Sequence, residues 1–406
     1  MINTHHRCRF RLQTVVVCAL LFIPGLCIGA DEMTLSVRIL EKHLNGRFTL
    51  SSEDSLNITI DSTVISSSGP VTVSSNAGGL VLTTNDGTTI PVDSRVVCTP
   101  FTPDHPVTVT IEGPPLTRSY RGDIVVTFHD AEPVIVNRVL LSDYLASVVA
   151  GEMGGVDEAA LMAQAIISRT WVLTHLGTHD TADLCDLTHC QSYTGVETET
   201  PAAVRVTEKT EGLIVAYKGG PATVFYHACA GGMTTSPKYV WNGPDVPYLV
   251  PVVETYRGRD LSAGSPHRSW KWRVEKDDLC DMLSTSFGGT YRAVSISERD
   301  PSGRAMSILL SGKNDSTVTG EEFRIAVGRE FGWGCLKSTL CDVKAEGDEY
   351  VFSGAGLGHG VGLSQWGAME LSRCGLTAEE IVRFYFPHTE IITVSDLTVP
   401  VPELKR

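Results

Sequence analysis

Basic side chains are in short supply in this 406-residue chain. Lys and Arg number 33 against 47 Asp and Glu, a formal net charge of −14. Arg7, Arg9 and Arg11 fall in the first thirty residues, which hold no acid, so the remainder carries 30 against 47, or −17. Such a balance argues against nucleic acid or an anionic membrane surface as partner. Cysteine is thin as well: there are eleven, and Cys8, Cys18 and Cys27 belong to the N-terminal segment. Eight in the rest of a large chain permit disulfides without defining a disulfide scaffold. Internal repeats and low-complexity tracts are absent. Beyond the N-terminus there is no apolar run of the roughly 20 residues needed to span a bilayer. What is plentiful is ordinary core material, 42% hydrophobic residues, which excludes a disordered chain.

The length suggests two or three structural units. Residues 1–30 read as a signal peptide or anchor: basic residues, an apolar run from Val15 to Ile28, then small Gly29 and Ala30. The protein is therefore expected in the periplasm or cell envelope, exported and either released or held by its N-terminus. Residues 31–118 are rich in Val, Ile, Thr and Ser with turn signals between. Leu56–Ile60 and Val107–Ile111 alternate apolar and polar residues, so this region is expected to be a β-rich accessory module. From Asp157 a stretch without Gly or Pro predicts one long helix, capped by Asp157 and stopped by Gly177. Strands follow at Leu213–Tyr217, Thr223–Tyr226 and across Arg292–Leu310, and a last helix at Thr377–Phe384. The expected class is α+β and β-rich, with a catalytic domain over 119–390 and a tail over 391–406.

Four segments carry candidate chemistry. Glu152 stands alone among small residues in Gly151-Glu-Met-Gly-Gly155, read as a turn ahead of the long helix. Gln164 and Ser168 share a face of that helix and Arg169 adjoins it, a polar patch able to line a cleft. His179, Cys185, His189 and Cys190 are four soft or borderline donors within twelve residues, a set suited to tetrahedral zinc; a Cys185–Cys190 disulfide is the competing reading. Gly354–Gly367 contains six glycines with His359, Ser364 and Gln365 among them, a loop that lets backbone approach a ligand. It lacks the βαβ context of a dinucleotide fingerprint.

Taken in order, Tyr120-Arg-Gly122, Val136-Asn137, Tyr144-Leu145, Val148-Val-Ala-Gly-Glu-Met153, Ala163-Gln-Ala165, Ser168-Arg-Thr170, Asp183-Leu-Cys-Asp186, His189-Cys-Gln191 and Gly358-His-Gly-Val-Gly-Leu-Ser-Gln365 resemble the stage II sporulation protein D (SpoIID) family. The resemblance spans about Tyr120 to Phe386. It implies a SpoIID-like core and a lytic transglycosylase that cleaves the MurNAc–GlcNAc bond of peptidoglycan glycan strands stripped of stem peptides, leaving 1,6-anhydro-MurNAc ends. It implies that Glu152 is the catalytic acid and Arg169 an essential partner. It also implies zinc on Cys185 and Cys190 with nearby histidines, and a basic residue beside a Trp, matched here by Lys271 next to Trp272. Gln164, Ser168, Lys271, His359, Ser364 and Gln365 are the expected substrate contacts. An N-acetylmuramoyl-L-alanine amidase is the expected protein partner.

One conspicuous carboxylate suits this reaction, because the sugar's own C6 hydroxyl replaces water as nucleophile, whereas ordinary glycoside hydrolysis uses two carboxylates. A general acid near neutral pH needs a raised Glu pKa, while a helix N-terminus and a nearby Arg lower it. Glu152 is therefore expected against apolar neighbours such as Met153, Tyr226 or Trp241, with Arg169 on the substrate. Zinc is expected to be structural. Two other functions compete: a non-catalytic wall-binding enhancer of an amidase, and a zinc-dependent amidase using the Cys/His cluster.

Overall fold

Apolar and polar residues alternate along most strands, and burial follows them. Val107–Ile111, for example, is buried at every second position. The computed structural model describes residues 32–399, apart from 45, 77, 78, 94, 114, 131 and 156. The leader expected at 1–30, and the tail from 400, lie outside the described residues.

Two antiparallel-rich sheets dominate the N-terminal half. A seven-stranded sheet runs in the order 184–185, 34–39, 132–140, 123–129, 95–100, 56–60, 63–67. A six-stranded sheet runs 116–120, 107–111, 47–51, 71–76, 79–83, 89–92. Both bury their apolar face in one cluster that also takes in Leu145, Ile166 and Phe386. The strands before residue 118 thus share a sheet and a core with those after it.

The helices are α1 (Leu141–Met153), α2 (Glu158–His175), α3 (Pro201–Lys209), α4 (Pro237–Trp241), α5 (Lys276–Phe287), α6 (Gly320–Phe331), α7 (Gln365–Arg373) and α8 (Ala378–Tyr385). None is long and apolar enough to cross a membrane. The long helix expected after residue 157 is α2, and thirteen of its residues are buried. Asp157 is its N-cap by position but makes no capping bond; its carboxylate pairs with Arg373 of α7 at 2.9 Å. Thr377 caps α8 through a reciprocal capping box with Glu380, as a Thr-x-x-Glu pattern does. The expected tail begins as a strand, Glu390–Thr393, paired with Leu213–Tyr217.

A second, smaller core is built from residues between Trp270 and Phe352, including Leu283, Leu310 and Phe323. It is an insertion. The chain leaves the first core after Leu261 and rejoins it at Val361, and Leu363–Ser364 pairs in parallel with Tyr226–His227. Bridges Cys229–Leu357 and Thr235–Val361 close the neck.

Candidate active site and metal centre

Glu152 is not in a turn before a helix. It occupies the last turn of α1, and Gly154 terminates that helix. The helix's unpaired carbonyl end therefore disfavours its negative charge, the opposite of the N-terminal effect expected. Glu152 is half-buried. Its Oε1 accepts the Ser192 N–H at 2.7 Å. Burial raises the carboxyl above its ordinary value; the Ser192 amide, the Tyr226 hydroxyl and the Gln365 amide oppose that by favouring the charged form. Gly151 permits this arrangement, because a Cβ there would lie 3.1 Å from the Ser192 carbonyl. The two nearest carboxylates in sequence are engaged elsewhere, Asp157 with Arg373 and Glu158 with Lys209. Two surface hollows of about 340 and 550 Å³ flank Arg121, which reaches the first turn of α1 through Asp143, and the carboxyl lines neither.

Arg169 corrects the expectation of a substrate-holding arginine. It is fully buried and donates to the carbonyls of Leu213 (3.2 Å) and Thr207 (3.4 Å), fastening α2 to the end of α3 and the strand after it. Gln164 and Ser168 are likewise fully buried and bond to each other at 3.0 Å. They face the interior of the bundle, not an open cleft. Gln191, also buried, reaches the Ser168 carbonyl at 3.5 Å and the hydroxyl of Tyr226. Lys271 is exposed on strand Trp270–Glu275 of the inserted core, opposite Ser353, and has no ion pair with Glu152.

The glycine-rich segment splits in two. Ser364 is fully buried and caps α7, accepting the N–H groups of Gly367 (3.3 Å) and Ala230 (3.2 Å). Gln365, the first residue of α7, keeps its Nε2 buried without a hydrogen-bond partner and favours the charged form of Glu152. His359 lies among Trp241 (5.1 Å between ring centroids), His227 (5.5 Å) and Phe225 (6.2 Å). Burial lowers His359 to about 4, so it is neutral, and its Nδ1 accepts the Val361 N–H at 3.1 Å. Ser364 is thus a structural cap, and Trp241 packs on His359 rather than on Glu152.

The cysteine–histidine quartet converges. His179 Nε2 lies 3.2 Å from Cys190 Sγ, and Cys185 Sγ lies 3.2 Å from His189 Nε2. All four donor atoms fall within 4.8 Å of one another. Tetrahedral zinc, with bonds of about 2.3 Å to sulfur and about 2.0 Å to nitrogen, separates its ligands by about 3.3–3.8 Å. The quartet has the donor chemistry and spacing to hold zinc. Cys185 and Cys190 are not joined in a disulfide. Two carboxylates bind this segment to the first strand, Thr34–Ile39. Asp183 accepts from Ser36 N (2.9 Å) and Ser36 Oγ (2.6 Å), and Asp186 from Leu40 N (2.8 Å). The last of the four, Cys190, is two residues from Ser192, whose amide holds Glu152.

Other residues of the motifs are structural. Asn137 Nδ2 donates to the carbonyls of Arg121 and Asp123, and its Oδ1 accepts the Tyr193 hydroxyl at 2.6 Å. Tyr193 in turn packs on Tyr144. Ser192 went unnoticed in the sequence because its backbone, not its side chain, makes the contact.

Residues 129–217 match the family described as Stage II sporulation protein, SpoIID. Residues 258–362, which contain the inserted core, match a domain of unknown function (DUF8618). An uncharacterized protein of Brachyspira hyodysenteriae is 26% identical over 279 residues, covering 67% of this chain and 72% of that protein. Stage II sporulation protein D of Bacillus subtilis is 25% identical over 278 residues, 63% and 75% of the two chains. The amidase enhancer of Bacillus subtilis is 27% identical over 275 residues, 57% of this chain but only 38% of that protein's length. Residues 129–217 are thus a SpoIID domain, and the motif order and these relatives carry the resemblance to that family along about two thirds of the chain.

Proposed function

We propose that this chain is an exported lytic transglycosylase acting on peptide-stripped peptidoglycan glycan strands, with Glu152 as the single acid and base. The observation that carries this reading is the setting of Glu152: a recessed carboxyl at a helix C-terminus, raised by burial, with no second carboxylate among the causes of its shift. A protonated Glu152 donates to the oxygen between MurNAc C1 and GlcNAc C4, and the C1–O bond breaks. The MurNAc O6 then bonds to C1, and its proton returns to the Glu152 carboxylate. The products are a 1,6-anhydro-MurNAc end and a GlcNAc with a free 4-hydroxyl. The Ser192 amide, Tyr226 and Gln365 stabilise the carboxylate between the two transfers.

We further propose a structural zinc on His179, Cys185, His189 and Cys190. Zinc there would supply cross-linking, because four protein donors leave no position for a reacting water. That argues against the zinc-amidase reading. The chain's own contribution is to fix the Cys190–Ser192 segment beside Glu152. A second reading, a non-catalytic enhancer of an amidase, draws on the Bacillus subtilis relative of that name.

The deciding experiment digests denuded glycan strands and intact peptidoglycan with wild type and Glu152→Gln, followed by mass spectrometry. Anhydro products from wild type alone support the transglycosylase. Absence of products from both, with retained glycan binding, supports the enhancer. Released peptides would overturn both readings.

A further inference from the structure

The inserted unit buries the side chain of Arg304 in the neck that joins it to the first core. Arg304 is 2% exposed. Its Nη2 donates to the Ala230 carbonyl at 2.7 Å, and its Nη1 to the Met233 carbonyl at 2.7 Å and to Ser302 Oγ at 2.9 Å. Asp300 fixes the base of this finger. One carboxylate oxygen accepts the Arg304 backbone N–H at 2.9 Å, and the other accepts the Thr235 hydroxyl. The guanidinium also lies against Gly360, where a Cβ would come within 2.5 Å of Arg304 Cζ. Nothing in the proposed reaction uses this group, and a buried arginine is an expensive way to fill space.

We infer that Arg304 is a positioning residue for the Glu152 carboxyl, acting through Ala230, Ser364 and Gln365. The inference rests on Glu152 being the reacting group. The path is short and made of directed bonds. Arg304 fixes the carbonyl of Ala230, and the N–H of Ala230 donates to Ser364 Oγ at 3.2 Å. Ser364 caps α7 through Gly367, and Trp366 N–H donates to the Ala228 carbonyl at 3.0 Å. Both bonds set the first turn of α7, whose leading residue Gln365 faces Glu152. Nε2 of Gln365 is buried without a hydrogen-bond partner, which leaves it free to answer the Glu152 carboxyl, whose charged form it favours. Tyr226 is tied to the same frame, paired with Leu363 across the parallel strands. A planar guanidinium spans two carbonyls three residues apart in the chain; a lysine ammonium holds one point, so the exchange is not conservative.

The test uses the full chain and three variants, Arg304→Lys, Ser302→Ala and Leu283→Ala. Leu283 is buried in the inserted core and its loss sets a purely destabilising reference. Each is assayed for thermal stability, for kcat and KM on denuded glycan, and for the NMR resonances of the Gln365 side-chain amide and the Ser192 backbone amide. Arg304→Lys should lower kcat about tenfold or more with KM within about twofold, as expected of misplacement near the chemistry, and shift both resonances. Ser302→Ala should do the same to a smaller extent, and it serves where the lysine variant misfolds. Leu283→Ala should lose stability and change neither readout. If the resonances stay in place in folded Arg304 or Ser302 variants, or if Leu283→Ala moves them equally, the inference is wrong. Because the resonances do not require turnover, a chain that cleaves no glycan overturns the proposed reaction and leaves this result standing.

Discussion

At Glu152 burial and the end of α1 both favour the protonated carboxyl, and the sign of that shift fixes two outcomes. The folded chain binds this proton more tightly than the unfolded one. Its stabilising effect is complete below the ordinary Glu pKa and is lost as pH rises through the raised value. Glu152→Gln should therefore melt at or above wild type at pH 8, with the difference shrinking towards pH 4, while turnover disappears. Melting curves at the two pH values check this; a variant less stable at pH 8 than at pH 4, relative to wild type, would count against a raised carboxyl. Arg169 should behave differently. Arg169→Met strands the carbonyls of Thr207 and Leu213 and should cost about 2–5 kcal/mol by denaturant titration. Any activity left in the folded fraction should show an unchanged KM, since the side chain does not reach a cleft. Sequence could find Glu152 because an isolated acid among glycines is conspicuous. It could not find the role of Arg169, because a polar helix face lining a cleft and one satisfied by buried carbonyls have the same residue pattern.

The helices and loops explain which parts were readable. Helix α2 was legible because it is long and free of Gly and Pro, and α8 because Thr377 and Glu380 form a capping signature. Helix α1 was not. Seven of its thirteen residues are buried, and Val148-Val149 reads as strand, so no polar face marks the helical period. Missing α1 placed Glu152 in a turn and reversed the expected dipole effect. The quartet of His179, Cys185, His189 and Cys190 was legible as donors, since zinc constrains residue type more than spacing. Its place beside Ser192 was not, because the contact from Ser192 to Glu152 is made by backbone. If the quartet holds a structural zinc, the purified chain should contain about one zinc per molecule, and chelation or Cys185→Ser should lower the melting temperature by several degrees. Elemental analysis and melting with and without chelator measure this. Turnover lost at unchanged stability would assign the metal a chemical role instead.

Across the whole molecule, alternation and turn signals gave the β-rich class, but not which strands share a sheet, because pairings distant in sequence leave no local mark. The N-terminal strands read as an accessory module. Instead Thr34–Ile39 lies between Glu132–Leu140 and the Leu184–Cys185 strand, so it is an internal strand of the sheet that carries the proposed metal segment. The inserted core was hidden for the same reason, since its neck closes between residues 226 and 364. The first strand offers the sharpest test of this integration. It supplies three buried apolar residues, Leu35, Val37 and Ile39, and the Ser36 and Leu40 groups that hold Asp183 and Asp186. Ser36→Pro removes both donors to Asp183, the backbone N–H and the hydroxyl, without altering any of the four Cys/His donors or Glu152. It should destabilise the chain by about 3 kcal/mol or more and lower zinc retention in dialysis, whereas a proline at exposed Val64, on the outer strand Thr63–Ser67, should leave zinc retention unchanged. Equal zinc loss from both substitutions would mean that the N-terminal strands act on the metal segment only through general stability, and not through the Ser36–Asp183 clamp.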